Sequence, residues 1–274
     1  VADRGLKTRI KRWVKAALRA TGSGKPPGTD TRILTYHSIG ERRHDMNVTA
    51  DAFAAQMAWL ATHHPVITLA DAAAGMPGVA ITFDDGFRDN LLNAAPVLRQ
   101  LGLPATVFVV TGRLGATLDG EPDPLNGALM TWDEVRRLHS QGIEIGGHTV
   151  HHARLARLGE AGQRTEIAGC FDALVRELGG PPKPFAYPYG SAADYDATSM
   201  RLAHEAGFTM AVSNRYGPVL HGEGSYQLRR IWIDATDDLE TFRAKTDGRL
   251  DGLARLEGRW ALRSRKALNW FTRR

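Results

Sequence analysis

Apolar residues along this chain fall into short runs separated by amphipathic stretches, and the two patterns alternate. Runs rich in β-branched and aromatic residues occur at 33–38 (ILTYHS), 79–86 (VAITFDDG), 105–110 (ATVFVV), 143–149 (IEIGGHT), 184–190 (PFAYPYG), 209–214 (TMAVSN) and 227–234 (QLRRIWID). Each has the length of a buried strand. Helical spacing of apolar positions appears between them, over about 51–62, 89–101, 132–140, 158–179 and 196–206. Thr131 followed three residues later by Glu134 forms a capping box that opens the third of these helices. Strands alternating with helices predict a parallel sheet, and about seven such units predict an α/β fold of the distorted or incomplete (β/α) barrel type. The stretch 114–130, rich in Gly, Pro and Asp, reads as a long loop over one mouth of that barrel.

The Gly- and Pro-rich stretch TGSGKPPGTD at 21–30 reads as a linker and divides the chain. Residues 1–30 are predicted to form a basic amphipathic helix and linker, 31–240 the central domain, and 241–274 a basic helical extension. Charge follows the same division. Residues 1–20 carry a net +6 and residues 241–274 a net +7, while the whole chain carries +5, so residues 21–240 hold about −8. The basic balance therefore belongs to the ends, and the acidic centre argues against nucleic acid as a partner.

In the N-terminal segment Leu6, Ile10, Trp13, Val14, Ala17 and Leu18 form an apolar stripe beside Lys7, Lys11, Arg12, Lys15 and Arg19. The C-terminal segment sets Trp260, Trp270 and Phe271 among arginines. Two readings fit this pattern equally: a peripheral contact with an anionic membrane, or docking of both helices on the barrel. The N-terminus lacks the apolar core of an export signal, which points to a cytoplasmic protein at or near the inner face of the membrane, although a chain that opens on Val1 leaves earlier removal of a leader open. The single cysteine, Cys170, lies in an apolar helical pattern and reads as a buried structural thiol, which rules out an intramolecular disulfide.

Four polar clusters fall at or just after predicted strand ends: Tyr36-His37, Asp84-Asp85, His148 through His152, and Tyr187-Pro188-Tyr189. Active sites of parallel α/β barrels are built at that end of the strands. Adjacent side chains there diverge, so one of two neighbouring aspartates can bind a cation while the other addresses a water beside it. His148 and His152 stand four apart, a spacing that puts both imidazoles on one face of a helical turn within reach of one ion. His151 lies off that face and reads as a neighbour. Two histidines and one carboxylate suit a single divalent metal ion, Zn²⁺ first, with Co, Ni, Mn or Fe as alternatives.

TFDDG at 82–86, HTVHH at 148–152 and FAYPYG at 185–190 together resemble the first three motifs of the polysaccharide deacetylases, the NodB-homology group also called carbohydrate esterase family 4. The resemblance spans roughly residues 31–234. It implies a hydrolase that removes acetyl groups from an N-acetylated amino sugar, whether polymer, oligosaccharide or lipid-linked glycan. It also implies Asp84 as general base, Asp85, His148 and His152 as metal ligands, and the backbone N–H of Tyr189 in the oxyanion hole.

Two features depart from the common pattern. The arginine that the family's third motif usually carries, and that orients the base, is missing where this chain has Ala186 and Tyr187, and Arg230 is a candidate substitute, though an arginine there reads first as a surface residue. The late Leu-x-His motif that supplies the acid is absent, whereas His37 in ILTYHSIG resembles the permuted branch that contains the poly-N-acetylglucosamine deacetylases, which makes His37 the candidate acid, protonated near neutral pH if a carboxylate is close. The competing expectation is a catalytically inactive sugar-binding or membrane-associated scaffold on the same fold.

Overall fold

The computed structural model describes residues 29–41, 45–118, 127–220 and 222–254, together with Lys15, Gly22, Gly24 and Pro26. The remainder of the helix expected in residues 1–20, and residues 255–274 of the expected C-terminal extension, lie outside the described residues.

Seven parallel strands close into a barrel: β1 (Thr31–Tyr36), β4 (Gly78–Phe83), β5 (Thr106–Val109), β6 (Glu144–Gly147), β7 (Pro184–Ala186), β8 (Met210–Tyr216) and β9 (Leu228–Trp232), in that spatial order. Closure comes from β9 beside β1, with Leu34 opposite Ile231 and Thr35 opposite Trp232. The β8–β9 ladder shifts register between Val212 and Tyr216, and β6 meets β7 through one residue pair, Gly147 and Phe185. The barrel is thus complete, with its distortion concentrated from β6 to β9. Two short strands, β2 (Ser38–Ile39) and β3 (Asn47–Val48), pair outside it.

Alternation along the strands sorts the core into two shells. Ile33, Ala80, Phe108, Ala186, Val212 and Leu228 fill the lumen, where they meet Leu69 and Ala72 of the short helix α2 (Leu69–Ala73). Their neighbours Leu34, Val79, Ile81, Phe83, Val107, Ile145 and Ile231 face outward and pack with residues of the helices α1 (Ala50–His63), α3 (Ala95–Gln100), α4 (Trp132–Ser140) and α5 (Glu160–Leu178). Gly146 belongs to the inner shell, and a Cβ there would come within 2.5 Å of the Phe108 ring. That strand can pass Phe108 only with glycine. A third cluster joins Phe185 and Tyr187 to Ile167 of α5 and to Leu202 and Ala203 of α6 (Ala197–Ala206).

The capping box at Thr131 and Glu134 is present. Cys170 is buried, its thiol pushed up to about 12 by burial. The span expected as one helix over 89–101 begins instead with a π-helical turn, Asn90–Ala94, that runs into α3. The loop at 114–130 is pinned by bridges between Thr117 and Ala128 and between Phe87 and Leu129; residues 119–126 of it are outside the described set.

Helix α7 (Leu239–Thr246) crosses the boundary expected at residue 240, with Phe242 fully buried and its ring 5.8 Å from that of Trp59. Lys15 also docks on this side of the barrel, its Nζ donating to Asp234, Thr236 and Asp237. No helix among the described residues is long and apolar enough to cross a membrane.

Candidate active site

The C-terminal ends of the strands bring the four polar clusters together. Asp84 follows β4 on the lumen side and is 1% exposed. The chain then turns sharply: Asp85 has φ 71°, in the left-handed region, which residues with a short polar side chain tolerate better than most. This turn is what makes two consecutive carboxylates point to different tasks.

Asp85 Oδ1 lies 3.5 Å from His148 Nε2 and 3.3 Å from His152 Nε2. One ligand atom from each of the three lies within 4.8 Å of the others. The two histidines do not share a helical turn, contrary to the expectation from their spacing. They flank an irregular loop after β6 in which Thr149 has φ 66° and His152 φ 61°. The loop folds the chain back, so that the imidazole centroids are 5.1 Å apart.

His148 Nδ1 lies 2.8 Å from the carbonyl oxygen of Ala186, which can only accept, so this nitrogen carries the proton and Nε2 keeps its lone pair. Asp85 Oδ1 is buried with no hydrogen-bond partner. A deprotonated carboxylate oxygen without a partner, facing two imidazole nitrogens, fits a divalent cation between them and is costly without one. Burial alone would raise the Asp85 pKa, but the imidazoles of His148, His152 and His37 around it outweigh that and hold this group well below the usual carboxylate range. His152 is pushed down to about 4, mainly by burial.

Asp84 is gripped from across the barrel. Arg230 Nη1 and Nη2 donate to Asp84 Oδ1 and Oδ2, each at 2.7 Å, and the guanidinium also bonds Thr82, Asn214 and the carbonyl of Ser213. Burial would raise the Asp84 pKa, and Arg230 with His148 overrides that and lowers it. Arg230 is 0% exposed, so the surface role expected for it is wrong. It lies between Leu228 and Trp232 on the lumen face of β9, and that inward register was the available signal. Asn214, at the far side of the same guanidinium, had no signal of its own in the sequence.

His37 Nε2 stands 4.0 Å from Asp84 Oδ2, and the His37 carbonyl accepts from Asn90 Nδ2. Burial lowers the His37 pKa more than Asp85 and Asp84 raise it, and Arg230 and His148 add to the lowering, opposite in direction to the shift expected from a nearby carboxylate. Tyr189 has φ 61° after Pro188 and keeps a 45% exposed side chain at the rim. Its ring lies 4.7 Å from that of His152, with the Arg154 guanidinium 3.5 Å from its centre. The Tyr189 backbone N–H has no acceptor among the described residues. His151 points outward and pairs with Glu166 instead.

Comparison with known proteins agrees with this geometry. The polysaccharide deacetylase family profile matches residues 72–211, just over half the chain. The chain is 28% identical over 213 residues to YxkH of Bacillus subtilis, covering 73% of this chain and 70% of that protein. It is 24% identical over 233 residues to the poly-β-1,6-N-acetyl-D-glucosamine N-deacetylase of Staphylococcus aureus, covering 79% and 77% respectively. Among solved structures, the Streptococcus pyogenes deacetylase PplD superposes with a TM-score of 0.69 at 24% identity over 80% of this chain and 99% of that one, a likeness that speaks to the fold.

Proposed function

The chain belongs to the polysaccharide deacetylase family, and from that premise we propose that it is a metal-dependent hydrolase of the acetamide group on an N-acetylated glucosamine glycan. One observation carries the metal-dependent part: Asp85, His148 and His152 converge, with an unpartnered carboxylate oxygen, beside a second carboxylate that an arginine holds in place. Asp85, His148 and His152 would hold the ion. Bound there, it supplies Lewis-acid chemistry, polarising the acetamide carbonyl and acidifying a water.

The chain's own groups supply the rest. Asp84, fixed in the plane of the Arg230 fork, takes the proton of the attacking water. The backbone N–H of Tyr189 donates to the oxygen on which negative charge develops. The proton that Asp84 takes passes through His37 beside it to the sugar nitrogen as the C–N bond breaks, so that acetate and a free amine leave. Arg230 counts against the inactive-scaffold alternative, because a buried guanidinium holds Asp84 although the third motif lacks its arginine. The Staphylococcus aureus relative is a poly-β-1,6-N-acetyl-D-glucosamine N-deacetylase, which supports a β-linked N-acetylglucosamine polymer as substrate.

The test is elemental analysis of purified protein followed by acetate release from β-1,6- and β-1,4-linked N-acetylglucosamine oligomers and from polyprenyl-linked N-acetylglucosamine. Metal-dependent release from any of them supports the reading. Protein that binds metal tightly yet releases no acetate would return the scaffold alternative to first place.

A further inference from the structure

The loop that carries both candidate metal histidines has little regular structure of its own. It contains no strand and no α-helix between Gly147 and Arg154, and two of its residues, Thr149 and His152, sit in the left-handed region that side chains other than glycine rarely adopt. Such a conformation persists only where its surroundings enforce it. The enforcement comes from one face of α5.

Glu166 Oε2 accepts from the backbone N–H of Val150 at 3.0 Å and from that of His151 at 2.8 Å. Its other oxygen, Oε1, lies 2.7 Å from His151 Nδ1. Three and four residues further along the helix, Gly169 and Cys170 continue the same face. A Cβ on Gly169 would stand 3.2 Å from Val150, and one on Gly147, just before the loop, would stand 2.9 Å from the Cys170 thiol. From the opposite side Gly112 and Thr111 receive the loop, their N–H groups donating to the carbonyls of Val150 and Thr149. Glu166 itself is 8% exposed, unusual for a carboxylate in the middle of a helix, and its position is explained by these three bonds.

We infer that Glu166 is the positioning residue of the metal site, holding the 148–152 loop in the shape that turns His148 and His152 toward Asp85. The inference rests on the metal-site reading above. Glu166 touches neither ion nor substrate; it acts by satisfying two successive N–H groups that would otherwise pull the loop toward water. The carboxylate charge is not what matters. A glutamine can accept both N–H bonds through its oxygen and offer its NH₂ to His151, whose exposed ring is free to take the other tautomer.

The test is Zn²⁺ affinity and Zn²⁺ release rate, measured by competition with a chromophoric chelator, on the full chain and on Glu166→Ala, Glu166→Gln and Leu174→Ala. Leu174 lies on the same helix two turns further on, is fully buried, and takes part in none of the loop hydrogen bonds above, so its truncation reports loss of packing on that helix without loss of those bonds. Glu166→Ala should weaken Zn²⁺ binding roughly 10- to 100-fold, the range for loss of a residue that supports metal ligands. Glu166→Gln should bind close to the parent, and Leu174→Ala should lower the melting temperature of the metal-free protein without a matching loss of affinity. If Glu166→Ala binds Zn²⁺ as the parent does, or if Leu174→Ala weakens binding as much, the positioning role is overturned while the deacetylase reading stands. If Glu166→Ala fails to fold, Glu166→Gln decides, since a binding loss there as large as that of His152→Ala contradicts the argument. A parent protein that takes up no Zn²⁺ or other divalent ion overturns the metal-site reading and this inference together.

Discussion

Arg230 and Asp84 are 146 residues apart in sequence and are joined in the barrel lumen by two parallel N–H···O bonds of 2.7 Å each. Both side chains are buried, so neither charge can be left without the other at small cost. Arg230→Ala should therefore lose about 3–5 kcal/mol of stability as well as activity. Arg230→Lys keeps a cation but not the planar fork, and should fold while losing kcat through a misaligned base. Chemical denaturation alongside acetate release separates the two effects.

Replacing any one of Asp85, His148 or His152 by alanine removes one of three protein ligands. Each variant should emerge from purification with a small fraction of the metal found in the parent, which is expected to carry one divalent ion per chain. Elemental analysis checks this, and full occupancy in all three would sink the ligand assignment.

Asp84→Asn and His37→Ala leave those ligands in place. They should retain metal and lose roughly 10²- to 10⁴-fold in kcat, the scale of a general base or acid. Parent-like turnover in His37→Ala would show that another group donates the proton.

The pH dependence of stability should carry the mark of Asp234. Burial would raise its pKa, but Lys245, Lys15 and the bonds from Thr236 bring it down to about 2. A carboxyl with a depressed folded-state pKa stabilises the fold above its unfolded value, near 3.8, and that stability is lost as pH falls toward 2. The contribution is about 2 kcal/mol. Asp234→Asn should be less stable than the parent at pH 6, with the gap closing between pH 4 and 2 in urea titrations.

The charged ends give a separate prediction. Basic residues near an anionic leaflet contribute about 1 kcal/mol each, so the terminal segments should bring the protein down with anionic liposomes in a salt-sensitive way. Lys15 is engaged with Asp234 and Asp237, so its substitution should reduce stability more than liposome binding. Equal sedimentation with neutral and anionic vesicles would remove the electrostatic basis of a membrane role.

The sequence by itself determined the strand runs, the strand–helix alternation and the residues of the candidate metal cluster, because these are written locally: period-two burial marks strands, and unusual polar residues at strand ends mark the mouth of a barrel. Asp84, Asp85, His148, His152 and His37 were all legible in that way. Only the tertiary structure decided that Arg230 holds Asp84, because this partner lies across the lumen and no local pattern names a residue 146 positions away. The same holds for the histidine loop. Its spacing of four suggested a helical turn, but left-handed residues held by Glu166 made a different path with the same result, and a backbone that depends on a helix packed beside it cannot be read from the loop's own residues. The lowering of the His37 pKa likewise comes from burial, which is a property of the assembled barrel and outweighs the nearby carboxylates that the sequence could foresee.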